Sequence, residues 1–224
     1  MKYFVKTPWW LKKFYSSYTW DIKTNEKVIY LSFDDGPHEY ATPFVLDELK
    51  KYNAKASFFC IGKNVVAWPA VYKRILDEGH TVGNHTYNHL NGWKAADADY
   101  LQDVAEAAKY IDSTLFRPPY GRIKSFQAKN IPAVMKDNRA KIIMWDVLSG
   151  DFDANITNDE CLQNVILNVK KGSIVVFHDS EKAFAHLEFC LPRTLEFLST
   201  KGFRFERLLN YRVPVINNKA DIAV

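Results

Sequence analysis

The chain has 224 residues, 47% of them apolar, and a net charge of +4. Roughly 200–250 residues is routine for a single α/β barrel, so one domain over 1–224 is expected, with its motif-bearing core over about 27–208. Lysines and arginines are scattered without a basic run, which argues against a nucleic-acid partner, and nothing approaches the ~20 apolar residues of a membrane span.

The first fifteen residues lack the apolar stretch of a secretion signal, so the chain as written reads as cytoplasmic; an exported chain whose leader had been removed would read the same. Trp9, Trp10, Phe14 and Tyr15 alternate with lysines, a pattern expected to close the bottom of a barrel rather than to lie on a membrane. Residues 28–33 (Val-Ile-Tyr-Leu-Ser-Phe) are β-branched and aromatic and predict a buried strand, stopped by Gly36-Pro37. A helix over 42–52, a strand over 56–61, a helix over 65–78 and a strand over 81–85 follow. The alanine-rich stretch 95–112 has apolar residues at three- and four-residue spacing and predicts a helix. A short strand at 115–117 precedes a helix over 125–138, which Pro132 is placed to split. Strands over 141–145, 173–178 and 203–205 alternate with helices over 158–169 and 191–200, and the tail after Leu209 is expected to fray. Such alternation predicts an α/β fold, a distorted (β/α) barrel of about seven parallel strands. Cys60, Cys161 and Cys190 are far apart, form no C-x-x-C pair, and read as reduced, partly buried thiols.

A parallel barrel puts its chemistry at the C-terminal ends of its strands, and Asp34, Asp35, His85, Arg117, Asp151 and His178 all fall at or just after such ends. Any one of them alone is ordinary loop or turn chemistry. Adjacent carboxylates at a strand end repel, so Asp34-Asp35 calls for a metal, an arginine or both. His85-Thr-Tyr-Asn-His89 puts two imidazoles four apart, which on one helical turn would aim both at a single point; with one carboxylate they make the ligand set of an open divalent-metal site.

Five ordered segments, Ser32-Phe-Asp-Asp-Gly-Pro37, His85-Thr-Tyr-Asn-His89, Arg117-Pro-Pro-Tyr-Gly121, Trp145 to Phe152 and Ile174-Val-Val-Phe-His-Asp179, resemble the motifs of the polysaccharide deacetylase family, the NodB-homology group or carbohydrate esterase family 4. The resemblance implies that Asp35, His85 and His89 hold a divalent metal, zinc first and cobalt or another ion as alternatives, which polarises an acetyl carbonyl and activates a water. It implies that Asp34 is the general base, with Arg117 holding it ionised, and that His178 is the general acid, oriented by Asp151. Substrate contacts would come from the Tyr120 backbone N–H, as an oxyanion donor, from Val176 beside the acetyl methyl, and from Phe152. Phe152 and Leu148 depart from the family pattern, which usually has Asp-Trp at 151–152 and often a further Asp near 148; the missing indole N–H puts sugar contacts on that side in question.

The function expected on this resemblance is metal-dependent removal of an acetyl group from a carbohydrate, foremost N-deacetylation of N-acetylglucosamine units in peptidoglycan or chitin-type chains. O-acetyl ester or small-amide hydrolysis on the same site, and a non-catalytic carbohydrate-binding protein, stay open as alternatives. The absence of G-x-S-x-G and of a glycine-rich phosphate loop disfavours a serine hydrolase and a nucleotide enzyme. Tyr40, Tyr87, Trp93 and Phe152 are the aromatic residues considered for stacking on a sugar, while His38, His80 and His186 match no motif and read as surface or loop residues, with His38, directly after Gly36-Pro37, within reach of substrate. Oligomeric state is not legible.

Overall fold

In the computed structural model, which describes residues 3–209, the apolar run after Lys27 forms β1 (Val28–Asp34) near the middle of a curled parallel sheet. On one side follow β2 (Ser57–Cys60), β3 (Thr81–Asn84), β4 (Leu115–Phe116) and β5 (Lys141–Ile142). On the other are β7 (Ile174–His178) and, beyond it, β6 (Val147–Leu148). An eighth strand, β8 (Arg204–Phe205), pairs with Val28 and Ile29, below the stretch of β1 that β2 reaches. The α/β barrel of about seven parallel strands is borne out: the seven expected strands, β8 among them, are present, and β6 is the one added. The residues after Leu209 lie outside those described.

Side chains alternate across these strands with period two. Ile29, Leu31 and Phe33 of β1, Phe58 and Cys60 of β2, and Val175 and Phe177 of β7 share one buried cluster with Leu46, Leu49, Leu191 and Leu195 from the covering helices. Each such side chain contributes about 1.5–3 kcal/mol when fully buried. The alternate positions, Ser32, Asp34, Phe59, Val176 and His178, face the barrel interior. Register aligns them: Asp34 sits opposite His178 and Ser32 opposite Val176.

The helices are α1 (Trp9–Phe14), α2 (Ala41–Lys51), α3 (Gly62–Ala67), α4 (Pro69–Asp77), α5 (Asp97–Ala107), α6 (Ser125–Val134), α7 (Asn158–Ile166) and α8 (Phe184–Thr200). Where one helix was expected over 65–78 there are two, because Pro69 cannot donate within a helix but can open one. Pro132 does not split α6; the helix simply closes at Val134. α8 begins at Phe184 rather than at 191, its buried face of Leu187, Cys190, Leu191, Thr194, Leu195 and Leu198 running past Pro192. β6 is two residues long, too short for periodicity to reveal. α7 opens on Thr157, whose side chain and that of Glu160 form a capping box.

β5 and β6 are the free edges of the curled sheet, and the N-terminal segment fills the gap between them. Thr19 bridges Ile143, Lys6 bridges Val147 and Asp21 bridges Ser173. Buried Asp146 anchors this segment: it pairs with Lys6 Nζ at 2.6 Å and with Lys12 Nζ, and accepts from Ser173 Oγ at 2.5 Å. The segment thus closes the barrel's side, not its bottom, while Trp9, Trp10, Phe14 and Tyr15 stay exposed. Among the described residues no helix is long and apolar enough to cross a membrane. All three cysteines are buried free thiols.

Candidate active site

Asp34 ends β1 inside the barrel, and Asp35 follows with φ 79°, so the two adjacent carboxylates part at once. Asp35 Oδ1 lies 3.1 Å from His89 Nε2 and 3.6 Å from His85 Nε2, and the three ligand atoms all lie within 4.8 Å of one another. No helical turn brings the imidazoles there, contrary to expectation. Residues 85–89 form a loop with Thr86 and His89 in left-handed conformations (φ 62° and 59°). Its shape is held from α5, where the Asp103 carboxylate accepts from the backbone N–H groups of Tyr87 and Asn88 and from the Asn88 amide, and from β3, where Asn84 Oδ1 accepts from Thr86 N.

The chemistry of this trio can be tested on its protons. His85 Nδ1 is 2.7 Å from the Arg117 carbonyl oxygen, which can only accept, so Nδ1 carries the proton and Nε2 turns its lone pair toward Asp35. Burial lowers the His85 pKa to about 4, keeping the ring neutral. Asp35 Oδ1 is buried with no hydrogen-bond partner. For the Asp35 carboxyl, burial acts upward, but the neighbouring His89, His178 and His85 rings outweigh it and hold the carboxyl well below its usual range. An ionised oxygen and a bare imidazole nitrogen aimed at one point suit a divalent cation, with the His85–carbonyl bond as the orienting outer contact such ligands use.

Behind them lies Arg117, fully buried directly after β4. Its Nη1 donates to Asp34 Oδ1 at 2.6 Å and to Ser32 Oγ at 2.9 Å, its Nε and Nη2 donate to the Ile143 and Met144 carbonyls, and its guanidinium stacks on Phe59 at 3.9 Å. Phe59 can occupy that place because Gly83 leaves room: a Cβ there would stand 2.5 Å from the ring. Burial lowers the Arg117 pKa, and the Asp34 carboxylate opposes that shift.

On the opposite wall His178 ends β7. Its Nδ1 is 2.7 Å from Asp151 Oδ1, and its backbone N–H donates to Asp151 Oδ2 at 2.7 Å. Burial pushes the imidazole down, but the Asp151 charge and hydrogen bond, with further help from Asp35 and Asp34, raise it to about 9. Phe152 meets the His178 ring edge-on at 5.1 Å. Val176 lies between Ser32 and Leu148 in register, and Tyr120, with φ 61°, rests its ring 4.6 Å from that of His89.

Asp34, Asp35, His85, His89, Tyr120, Phe152, Val176 and His178 line one cavity of about 380 Å³, while Arg117 and Asp151 stand behind it. Tyr3, Arg122, Ser180 and Lys182 also line it and were not foreseen. Tyr3 comes from the N-terminal segment and had no motif to signal it. Asn64 was likewise missed; its Nδ2 donates to the Asp35 carbonyl at 2.7 Å. So was the role of Asp179, next to His178, which accepts from Gly36 N and Thr42 Oγ1 and braces the turn after Asp35. Burial raises its carboxyl to about 8. A Cβ at Gly36 would fall 2.1 Å from Asp179 Oδ2, so this approach requires glycine.

Of the aromatics considered for sugar stacking, Phe152 lines this cavity and Trp93 an adjoining one, whereas Tyr40 packs on His38 and Phe184, and Tyr87 packs against the core. His80 is not a surface residue: it is buried, its Nδ1 accepts from Ala56 N, and burial lowers its pKa to about 3. His38 and His186 are half-buried and outside the residues lining this cavity, His186 bonding Asn158.

A family model described as polysaccharide deacetylase matches residues 21–139, more than half of the chain. The chain belongs to the polysaccharide deacetylase family. Within it, a peptidoglycan-N-acetylglucosamine deacetylase of Bacillus cereus is 35% identical over 203 residues, covering 87% of this chain and 93% of that protein. A chitooligosaccharide deacetylase of Azorhizobium caulinodans is 31% identical, covering 87% of this chain and 90% of its own length. Among solved structures, a peptidoglycan N-acetylglucosamine deacetylase in complex with 4-naphthalen-1-yl-N-oxidanyl-benzamide superposes with a TM-score of 0.79 at 31% identity, covering 90% of this chain and 95% of that one. Polysaccharide deacetylase folds also include a protein described as a pseudoenzyme, from Bacillus anthracis, at 25% identity and a TM-score of 0.69, covering 84% of this chain and 66% of that one.

Proposed function

We propose that this chain is a metal-dependent carbohydrate deacetylase acting on N-acetylglucosamine units of peptidoglycan or chitin-type oligosaccharides, and that 1–224 works as one catalytic domain. The observation that carries the reading is the convergence of the metal trio, the Arg117–Asp34 pair and the His178–Asp151 pair on one cavity. Because the family contains a pseudoenzyme, membership alone is weak support for activity; filled acid, base and ligand positions are stronger.

A divalent ion, zinc in our reading, held by Asp35, His85 and His89, would supply Lewis acidity that polarises the acetyl carbonyl and makes water a better nucleophile near neutral pH. Asp34 takes the proton of the attacking water. Arg117 keeps that carboxylate placed and charged through a buried, charge-assisted hydrogen bond. As the tetrahedral carbon forms, the Tyr120 backbone N–H donates to its oxygen, where negative charge develops. His178, protonated below about pH 9, delivers a proton to the departing amine nitrogen. Asp151 fixes the imidazole by binding both its Nδ1 and its backbone N–H. Val176 and Leu148 form the apolar wall for the acetyl methyl.

The test is acetate release, with appearance of a free amine, from chitin-type oligomers and peptidoglycan fragments, with acetylated xylan as the ester comparison. Activity should vanish on chelation and return with zinc or cobalt. Release from the ester alone, surviving His178→Ala, would replace this reading with O-deacetylation, because an alcohol leaves with less need of a proton.

A further inference from the structure

Asp151, whose carboxylate fixes His178, sits in the turn that follows β6, between Gly150 in a left-handed conformation (φ 82°) and Phe152. Part of this turn is held by its own neighbours. Asp151 N donates to Ser149 Oγ at 3.3 Å, Asp153 N to the Gly150 carbonyl at 2.8 Å, and Asn164 Nδ2, from α7, to the Ser149 carbonyl at 2.9 Å. The remaining contacts come from far away in the chain, from Tyr3.

Strand register brings Tyr3 there. Thr7 N donates to the Asp146 carbonyl at 2.9 Å and Leu148 N to the Val5 carbonyl at 2.8 Å, on either side of the antiparallel bridge between Lys6 and Val147. Residues 5–7 therefore run as a short added edge along β6, and the Lys6–Asp146 ion pair fastens them. Continued outward from that bridge, the same register sets Tyr3 opposite Gly150. The side-chain contacts agree. A Cβ on Gly150 would stand 2.8 Å from the Tyr3 hydroxyl oxygen, so the two touch closely. The Tyr3 ring packs on that of Phe152 at 5.3 Å, and Phe152 in turn meets His178 at 5.1 Å. The Tyr3 hydroxyl is hydrogen-bonded to the Asp153 carboxylate. Burial first, and then the charge and hydrogen bond of Asp153, raise the phenol to about 12, so it stays protonated and donates. Tyr3 thus touches Gly150, Phe152 and Asp153, residues on both sides of Asp151.

We propose that Tyr3 is a positioning residue: it clamps the 150–153 turn so that Asp151 keeps the His178 imidazole aimed at the departing amine. The proposal rests on the acid role given to His178 above. No bond is made or broken at Tyr3. Freed from it, the turn would carry the Asp151 carboxylate and the Phe152 ring away together, and a misplacement of about 1 Å at a reacting group can cost roughly 10²-fold in rate. Because Tyr3 acts through the turn, its loss lowers kcat and leaves KM in place. A Tyr3 that served only as a cavity wall touched by substrate would do the reverse.

The experiment compares zinc-loaded wild type with Tyr3→Ala, Tyr3→Phe, Asp153→Ala and the Tyr3→Phe/Asp153→Ala double variant. It reads kcat and KM on a chitin-type oligomer, and the downfield proton resonance of His178 Nδ1–H, assigned by its loss in His178→Gln. Tyr3→Ala should lower kcat about tenfold, change KM by less than about twofold, and broaden that resonance. Tyr3→Phe and Asp153→Ala each lose the same hydrogen bond, so each should lower kcat by about two- to threefold and the double variant by no more than either alone. Circular dichroism checks folding; should Tyr3→Ala fail to fold, Tyr3→Phe and Asp153→Ala decide, since both leave the ring packed on Phe152. An unchanged kcat, a rise in KM alone, a lowered kcat with the resonance unaltered, or additive losses in the double variant would each overturn the proposal. If wild type releases acetate from no acetylated sugar, the function proposed above fails, and the resonance by itself then decides whether Tyr3 holds the turn.

Discussion

The two walls of the reaction cavity hold their functional groups by opposite means. On the metal side, Asp35, Thr86, His89 and Tyr120 are all non-glycine residues in left-handed conformations, each costing on the order of 1 kcal/mol or more, and the loops that carry them are fastened from outside by Asp103, Asn84 and Asn64. On the acid side, His178 lies in a regular strand, and one buried carboxylate both fixes and charges it. The contrast follows from the roles proposed for the two sets of residues. Metal ligands must converge from different strands on one point, so the backbone bends to aim them; an acid needs only the right proton affinity, which a neighbouring charge supplies.

The contrast can be broken at three places. Asp34→Asn should lower kcat by about 10²–10⁴-fold while zinc content stays unchanged, because the base is lost and the ligands are not. Full activity in that variant would remove Asp34 from the mechanism. Asp151→Asn removes the largest upward influences on His178 and leaves only the weaker ones of Asp35 and Asp34 against burial: its pKa falls from about 9, so the alkaline limb of the kcat profile should move to lower pH. The sign runs the same way for stability. A raised folded-state pKa stabilises fully below about 6.5, and that contribution is lost as pH rises through about 9, so wild type should gain less over the variant at pH 10 than at pH 6 in thermal unfolding. An unmoved limb would mean that another group protonates the leaving amine. Asn64→Ala, which frees the Asp35 carbonyl, should weaken zinc binding by about 10–100-fold in a chelator competition and leave the His178 limb where it is. A shift of both would show that the two walls are not independent.

Much of this was legible beforehand because strand ends are local. The run from Val28 to Phe33 breaks at Asp34-Asp35, and the run from Ile174 breaks at His178, so period and stop signal place both residues at the mouth without knowledge of their neighbours. Pairings across the barrel were legible only through resemblance, since Arg117 reaches Asp34 and Asp151 reaches His178 over long sequence separations that no spacing rule spans. The 85–89 loop was misread as a helical turn because its left-handed residues are imposed by Asp103 and Asn84, not by their own preference.

The sequence by itself determined the alternation of the longer strands and helices, their apolar faces, and the set of acids, imidazoles and arginine delivered to one end of the sheet. Tertiary structure alone decided where residues 3–20 go. Their aromatic and lysine pattern suits several surfaces, and only the gap between β5 and β6, with Asp146 buried in it, gives Lys6 and Lys12 a common partner and turns Tyr3 and Phe4 toward the cavities. A buried charge without a counter-charge is costly, so that one pairing settles the path of the segment and, with it, the shape of the site's outer wall.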